Sequence, residues 1–294
     1  MKVERIELPG DGSAYFDAYL PKTNAEMPGM NIRPAMMICP GGGYDFVSER
    51  EAEPVALDYL AAGYTCFVLH YVVREKSAFP HSLCDLMHAM AYLRKNAERF
   101  AIFSDKIGVI GFSAGGHLAA SLGVFWQDEE VLAAAGCTAE EVRPNALLLI
   151  YPVIDVASRT HGGTAKNLVR ETPEEEKAAM LEKLSLQNQV RGQVPPTFIF
   201  STFYDNAVPV ESSLWFAEAL LKNEIPFELH IAQDGVHGLA LANRITARSP
   251  DGLNEGVSEW PRLSIRWLDT LFAMQTITPA KYPPAYGRKR PFKF

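Results

Sequence analysis

The chain has 294 residues, of which 48% are hydrophobic, 11% aromatic and 21% charged. This composition supplies a sizeable core for one large domain and excludes a disordered or fibrous chain. The 35 acidic residues outnumber the 28 basic ones and give a net charge of −7, which disfavours a nucleic-acid binder held by phosphate contacts.

Targeting and redox features point to the cytoplasm. No apolar stretch follows the first charged residues, so no signal peptide is predicted, and the longest apolar run, 146–154, is too short to span a bilayer. Cys39, Cys66, Cys84 and Cys137 are scattered without a C-x-x-C pair and are expected to be reduced. We therefore predict a cytoplasmic protein.

Apolar runs alternate with amphipathic stretches along the chain. Two half-buried strands are predicted first, at 3–8 and 15–20, and a wholly apolar run at 35–39 indicates a strand buried on both faces. The later predicted elements are a helix at 49–62, a strand at 65–71, a helix at 81–100, a strand at 106–110, a helix from 114, strands at 146–151 and 197–201, a helix at 210–222 and a strand at 227–232. This order predicts one α/β domain over 1–294, with a mostly parallel central sheet and helices on both faces.

A long connection interrupts this alternation. The stretch between Tyr151 and Thr197 is too long for an ordinary strand-to-helix loop. Within it, Thr172 and Pro173 are expected to be the N-cap and first residue of a helix that runs through Leu184. We expect a small cap insertion at 156–195, and leave open whether it shapes the substrate site or is purely structural.

The most informative motif is the G-x-S-x-G at 111–115. It lies between a predicted strand and a predicted helix, where a serine in a strained turn needs small neighbours. We interpret Ser113 as the nucleophile of an elbow; the alternative is a glycine-rich turn that binds nothing.

Three consecutive glycines follow Pro40 at the end of another buried strand. Such a run favours close backbone approach to a ligand, and the nearby elbow makes an oxyanion hole the best interpretation. The expected donors are the amides of Gly42, Gly43 and Ala114. The run does not match a phosphate-binding loop, because no G-K-[ST] follows it. It does not match the G-x-G-x-x-G dinucleotide fingerprint either, because Phe46 occupies the last glycine position.

The nucleophile needs a base and an acid. Seven histidines compete for the first role: His70, His81, His88, His117, His161, His230 and His237. The elbow fold orders the chain as Ser, acid, His, so we choose His237, in a polar loop after the strand at 227–232. His117, in the predicted helix after Ser113, is expected to pack in the core or to support the catalytic residues without taking part in the reaction. Asp205 is the preferred acid, with Asp155, after the preceding strand, as its competitor.

These motifs resemble α/β-hydrolases of the acetyl esterase and carboxylesterase type, especially the group with acetyl-xylan and feruloyl esterases. The Pro-Gly-Gly-Gly-Tyr at 40–44, the elbow at 111–117, the acid loop at 205–209 and the Gly-x-His-Gly at 235–238 occur in that group's order. The resemblance implies an α/β-hydrolase fold with Ser113, Asp205 and His237 as the triad and Gly42, Gly43 and Ala114 as the oxyanion hole. The basic, proline-rich stretch at 279–294 matches nothing in that group and is expected to be a solvated end.

The function expected from these residues and this resemblance is a serine esterase acting on short acyl esters, acetyl above all, of carbohydrates such as xylo-oligosaccharides. No metal or organic cofactor is expected. The expected partner is a small-molecule or oligosaccharide ester, with no nucleic acid and no membrane; association as a homo-oligomer is left open. The alternatives are an amidase, formamidase or peptidase using the same triad, and a non-catalytic binding protein of the same fold.

Overall fold

A computed structural model describes residues 1–10, 12–158 and 162–274. His161 and the stretch at 279–294, both considered above, lie outside these residues.

Within the described residues, one sheet of eight strands has the order β1-β2-β4-β3-β5-β6-β7-β8. The strands are β1 Lys2–Glu7, β2 Tyr15–Leu20, β3 Arg33–Cys39, β4 Thr65–His70, β5 Ile102–Phe112, β6 Ala146–Ile150, β7 Thr197–Thr202 and β8 Phe227–Ala232. β1 and β2 form an antiparallel hairpin, and β2 pairs antiparallel with β4. All remaining pairs, from β3·β4 to β7·β8, are parallel. The prediction of an α/β fold with a mostly parallel sheet is confirmed.

Helices cover both faces of the sheet. They are α1 Glu53–Ala61, α2 His81–Lys95, α3 Ala97–Phe100, α4 Ser113–Phe125, α5 Glu129–Ala135, α6 Ala139–Val142, α7 Gly162–Leu168, α8 Lys177–Leu184, α9 Glu211–Lys222 and α10 Trp260–Leu271. Short 3-10 turns lie at Pro28–Met30, Glu49–Glu51, Arg74–Lys76, Glu174–Glu176, Leu186–Asn188, Pro250–Gly252 and Val257–Glu259.

Alternate residues of β3 divide the core in two. Met37 and Cys39 face a cluster that includes side chains of α2, α4 and α9, whereas Met36 and Ile38 face a cluster with side chains of α1 and α10. Because successive side chains of a strand point to opposite faces, a wholly apolar strand must be covered on both sides. The apolar run at 35–39 therefore fixes this strand in the middle of the fold.

Two predicted helices differ in detail from the structure. The stretch at 81–100 is divided at Asn96, whose side-chain Nδ2 donates to the carbonyl oxygen of Tyr92 at 2.9 Å and so competes with the helical backbone. The stretch at 49–62 opens as a 3-10 turn, and α1 begins only at Glu53, with Pro54 in its first turn.

The segment 156–195 is partly built into the core. Leu168, Leu184 and Leu186 are buried there, and the amide of Phe79 donates to the carbonyl oxygen of Leu168 at 2.9 Å. The expectation of Thr172 as a helix N-cap is wrong, because a 3-10 turn over Glu174–Glu176 precedes α8.

Candidate active site

The end of β5 and the start of α4 place Ser113 on a sharp turn. Its φ is +53°, in the left-handed region that costs energy for a residue with a side chain. A Cβ on Gly111 would lie 2.1 Å from the carbonyl oxygen of Gly115, and one on Gly115 would lie 2.1 Å from that of Cys39. Both glycines are therefore sterically required, and this requirement is the physical content of the G-x-S-x-G pattern.

Ser113, His237 and Asp205 form one line of hydrogen bonds. The His237 Nε2 lies 2.8 Å from Ser113 Oγ, and Nδ1 lies 2.7 Å from Asp205 Oδ2. The other carboxylate oxygen, Oδ1, accepts the amides of Ala207 at 2.9 Å and Val208 at 2.8 Å. A carboxylate only accepts, so the imidazole carries its proton on Nδ1 and presents the Nε2 lone pair to the serine hydroxyl. The structure thus brings together the three residues chosen from the sequence.

Asp155, the competing acid, lies in a different network. It is 3% exposed and accepts hydrogen bonds from Ser158, from Ser185 Oγ at 2.9 Å and from Gln187 Nε2 at 3.3 Å. Burial alone would raise the pKa of Asp155, but these three donors together hold it below its ordinary value. These hydrogen bonds connect residues of the segment after β6. The two ring nitrogens of His237 contact Asp205 and Ser113 instead.

The glycine loop after β3 presents bare amides beside the nucleophile. Gly42 has φ +129° and Gly43 φ +65°, and a Cβ on Gly42 would lie 1.9 Å from the carbonyl oxygen of Phe46. Both glycines line the same cavity as Ser113. In the described part of the chain, the amides of Gly42, Gly43 and Ala114 have no hydrogen-bond acceptor. Ala114 is fully buried next to Ser113 in the first turn of α4. These three amides are the donors that an oxyanion would need.

Glu51 and Tyr151 support this loop and were not found from the sequence. Glu51 is 3% exposed; its Oε2 accepts the amide of Gly41 at 2.8 Å and its Oε1 accepts the hydroxyl of Tyr151 at 2.8 Å. The same hydroxyl accepts the amide of Ala240 at 2.9 Å. Burial, followed by the negative charge of Glu51, raises the pKa of Tyr151 well above its ordinary value. One buried carboxylate therefore joins the glycine loop, the end of β6 and the histidine loop.

Tyr151 also contacts the candidate base directly. Its ring lies edge to face with the His237 imidazole, with centroids 5.2 Å apart and planes at 70°. This packing limits the rotation of the imidazole and so keeps Nε2 directed at the serine.

His117 is fully buried behind the glycine loop. Its Nε2 donates to the carbonyl oxygen of Leu184 at 2.9 Å, and its Nδ1 lies 3.1 Å from the hydroxyl of Tyr44. Burial lowers the pKa of His117 to about 4, so the ring is neutral near pH 7. The remaining described histidines pair elsewhere: His70 with Asp17, His81 with Glu171, His88 with the carbonyl oxygen of Ala135, and His230 with Glu228.

A cavity of about 480 Å³ opens over Ser113 and His237. Its size suits a small ligand or one end of a longer one. Among residues 1–10, 12–158 and 162–274, no group of three or more His, Cys, Asp or Glu side chains is placed to hold a metal ion. In the same residues, no helix is both long and apolar enough to cross a membrane.

The sheet order, the strained serine between β5 and α4, and the hydrogen-bonded line behind it define an α/β-hydrolase. The model of the BD-FAE family matches residues 16–220, and the chain belongs to this esterase family of that fold. The resemblance to acetyl-xylan esterases and carboxylesterases is thereby confirmed.

Three similar proteins have names that refer to xylan or to xylosides. Endo-1,4-beta-xylanase B of Butyrivibrio fibrisolvens is 36% identical over 219 residues, 72% of this chain and 33% of that protein. An acetylxylan esterase of Xylanibacter ruminicola is 28% identical over 243 residues, 79% of this chain and 45% of that protein. The crystal structure of an acetyl ester-xyloside bifunctional hydrolase from Caldicellulosiruptor lactoaceticus is 34% identical, with a TM-score of 0.74 over 88% of each chain. The match spans about a third of the length of the xylanase and less than half of that of the acetylxylan esterase.

Proposed function

We propose that the protein is a serine esterase that removes short acyl groups, acetyl above all, from carbohydrates such as xylo-oligosaccharides. The observation that carries this proposal is the hydrogen-bonded line from Ser113 Oγ through His237 to Asp205, with contacts of 2.8 and 2.7 Å.

Acylation follows from this geometry. His237 Nε2 accepts the proton of the Ser113 hydroxyl as Oγ attacks the ester carbonyl carbon, and Asp205 stabilises the imidazolium that forms. The carbonyl oxygen becomes an oxyanion, for which the amides of Gly42, Gly43 and Ala114 are the donors. His237 then returns the proton to the leaving alkoxide, and the acyl group stays on Ser113.

Deacylation repeats these steps with water as the nucleophile. His237 takes a proton from water, the hydroxide attacks the acyl carbon, and the bond to Ser113 Oγ breaks as the serine is reprotonated. The products are a carboxylic acid and the free alcohol.

The substrate class rests on the relatives. An acetylxylan esterase, a xylanase and an acetyl ester-xyloside hydrolase are all similar to this chain. Their names support an acetyl group as the acyl part and a xylo-oligosaccharide as the alcohol part.

The test compares wild type with Ser113→Ala on 4-nitrophenyl acetate, butyrate and octanoate, and on an acetylated xylo-oligosaccharide with acetate release as the readout. We expect Ser113→Ala to lose on the order of 10⁴-fold in kcat, with the acetate ester preferred by wild type. Ser258→Ala is the matched control, since Ser258 is half-buried away from the cavity and its hydroxyl bonds only the carbonyl oxygen of Glu255 in the described residues. Full activity in Ser113→Ala would refute the mechanism, and turnover of matched amides but not esters would refute the substrate class.

A further inference from the structure

Four cationic side chains line the cavity that contains Ser113 and His237. They are Arg50, Lys166, Arg170 and Arg248, and we call them the cavity cations. The chain as a whole carries a net charge of −7. Four cations therefore line this cavity against two carboxylates, Asp45 and Glu51.

The two carboxylates that line the cavity, and Asp205 behind it, already have other partners. Asp45 lies 3.6 Å from the guanidinium of Arg74. Glu51 is bonded by the amide of Gly41 and the hydroxyl of Tyr151. Asp205, behind His237, accepts the imidazole and two backbone amides. In the described part of the chain, none of the cavity cations has a carboxylate within ion-pair distance.

Arg50 is fixed beside the histidine loop. Its NH1 donates to the carbonyl oxygen of Thr246 at 3.3 Å, and its NH2 lies 3.6 Å from the position that a Cβ on Gly238 would take. Its Nε is buried without a hydrogen-bond partner among the described residues. Arg50 also lines the cavity, so its guanidinium is held at the cavity wall by these contacts.

Arg170 is fixed on the opposite loop. Its NH2 donates to Asn167 Oδ1 at 3.0 Å, and the Nδ2 of that asparagine donates to the carbonyl oxygen of Gly43 at 3.1 Å. The guanidinium is thereby connected to the candidate oxyanion hole through a single side chain. An anion bound here would be held at a defined distance from the reacting carbonyl.

We propose that the cavity cations form an anion subsite and that the ester substrate carries a carboxylate bound there. This inference rests on the proposed esterase function and narrows its substrate class. Arginine binds carboxylates with charge-assisted, often bidentate hydrogen bonds, and a cleft lined by one sign of charge raises the local concentration of the opposite ion. The carboxylate belongs to one of two sources: the alcohol part of the ester, as in a uronic-acid sugar, or the acyl part, as in the half-ester of a dicarboxylic acid.

Two matched substrate pairs test the subsite and separate these sources. For the alcohol part the pair is 4-acetoxybenzoate and its neutral methyl ester; for the acyl part it is monoethyl succinate and ethyl butanoate. The quantity measured is the ratio of kcat/KM for the charged ester to kcat/KM for its neutral partner. Comparing this ratio between wild type and variant cancels the intrinsic reactivity of each ester.

We expect the ratio to fall on the order of 10-fold in the double variant Arg170→Gln/Arg248→Gln for the pair whose charge reaches the subsite. Both arginines are exposed, so the fold should tolerate the change. Arg266→Gln, which removes an exposed cation that does not line the cavity, is the control and should leave the ratio unchanged. Raising the salt concentration to about 0.5 M should reduce turnover of the charged ester more than that of the neutral one.

Unchanged ratios in both pairs, with neutral esters still hydrolysed, would overturn the anion subsite and leave the esterase proposal standing. Loss of turnover on every ester by folded wild type would instead refute the esterase proposal, and the subsite inference with it.

Discussion

Tyr151→Phe tests the buried network that holds the glycine loop. The change removes one hydroxyl that donates to Glu51 at 2.8 Å and accepts the amide of Ala240 at 2.9 Å. A hydrogen bond to a charged group contributes about 1.5–3 kcal/mol, and a buried amide left unpaired costs about 1–3 kcal/mol. We expect the free energy of unfolding to fall by roughly 3–5 kcal/mol. We also expect kcat to fall, because Glu51, which bonds the amide of Gly41, and Ala240, in the histidine loop, each lose a partner while the ring packing on His237 remains.

The assay combines urea unfolding with ester kinetics at one pH. Tyr59→Phe is the matched control. Tyr59, on α1, is also buried, but among the described residues its hydroxyl bonds only Ser264 Oγ of α10, at 2.7 Å. That variant should lose about 1 kcal/mol of stability and keep its kcat. If Tyr151→Phe changes neither stability nor kcat more than Tyr59→Phe does, the buried network does not support the glycine loop.

Two further predictions concern the acid and the buried imidazole. Asp205→Asn should reduce kcat on the order of 10³–10⁴-fold, because the amide no longer holds the proton on Nδ1 of the imidazole. Asp155→Asn should instead reduce stability and change kcat by less than about 3-fold. Ester kinetics of both variants measure these effects, and the reverse ranking would make Asp155 the acid of the triad. The buried His117 has a pKa of about 4, against 6.5 in the unfolded chain, so below pH 6.5 the unfolded state binds a proton that the folded state excludes. The free energy of unfolding should therefore fall by roughly 3 kcal/mol as the pH drops from 6.5 to 4. Urea unfolding of His117→Gln across this range should show a shallower decline. Equal declines in wild type and variant would refute the lowered pKa of His117.

The fold and the line of reacting groups could be predicted because their signals are local. The wholly apolar run at 35–39 requires cover on both faces, and Gly111 and Gly115 are required by contacts within one turn of Ser113. Chain order selects His237 once the elbow is recognised but leaves Asp155 beside Asp205 as a possible acid. The structure places Asp205 within hydrogen-bond distance of His237.

The supporting residues could not be predicted, because their partners are distant in sequence. Glu51 lies in a stretch with helical spacing, where a glutamate is normally exposed, and only the tertiary structure sets it against Tyr151. Asn96 divides the long helix through a side-chain bond that competes with the backbone, which apolar periodicity does not reveal. By contrast, α10 did have a signal, with apolar residues at 260, 263, 267 and 271 and a proline in the first turn, and it was missed.

The bonds from segment 156–195 to the glycine loop and to His117 of α4 constrain how this protein could be recombined with its relatives. Leu184 supplies the carbonyl oxygen for the fully buried His117, and Asn167 supplies the amide for Gly43. A chimaera that took this segment from another hydrolase would leave both groups without a hydrogen-bond partner, unless the other protein placed the same two atoms there. The segment and the loop are thus expected to be inherited together, as one unit, rather than exchanged as a detachable lid.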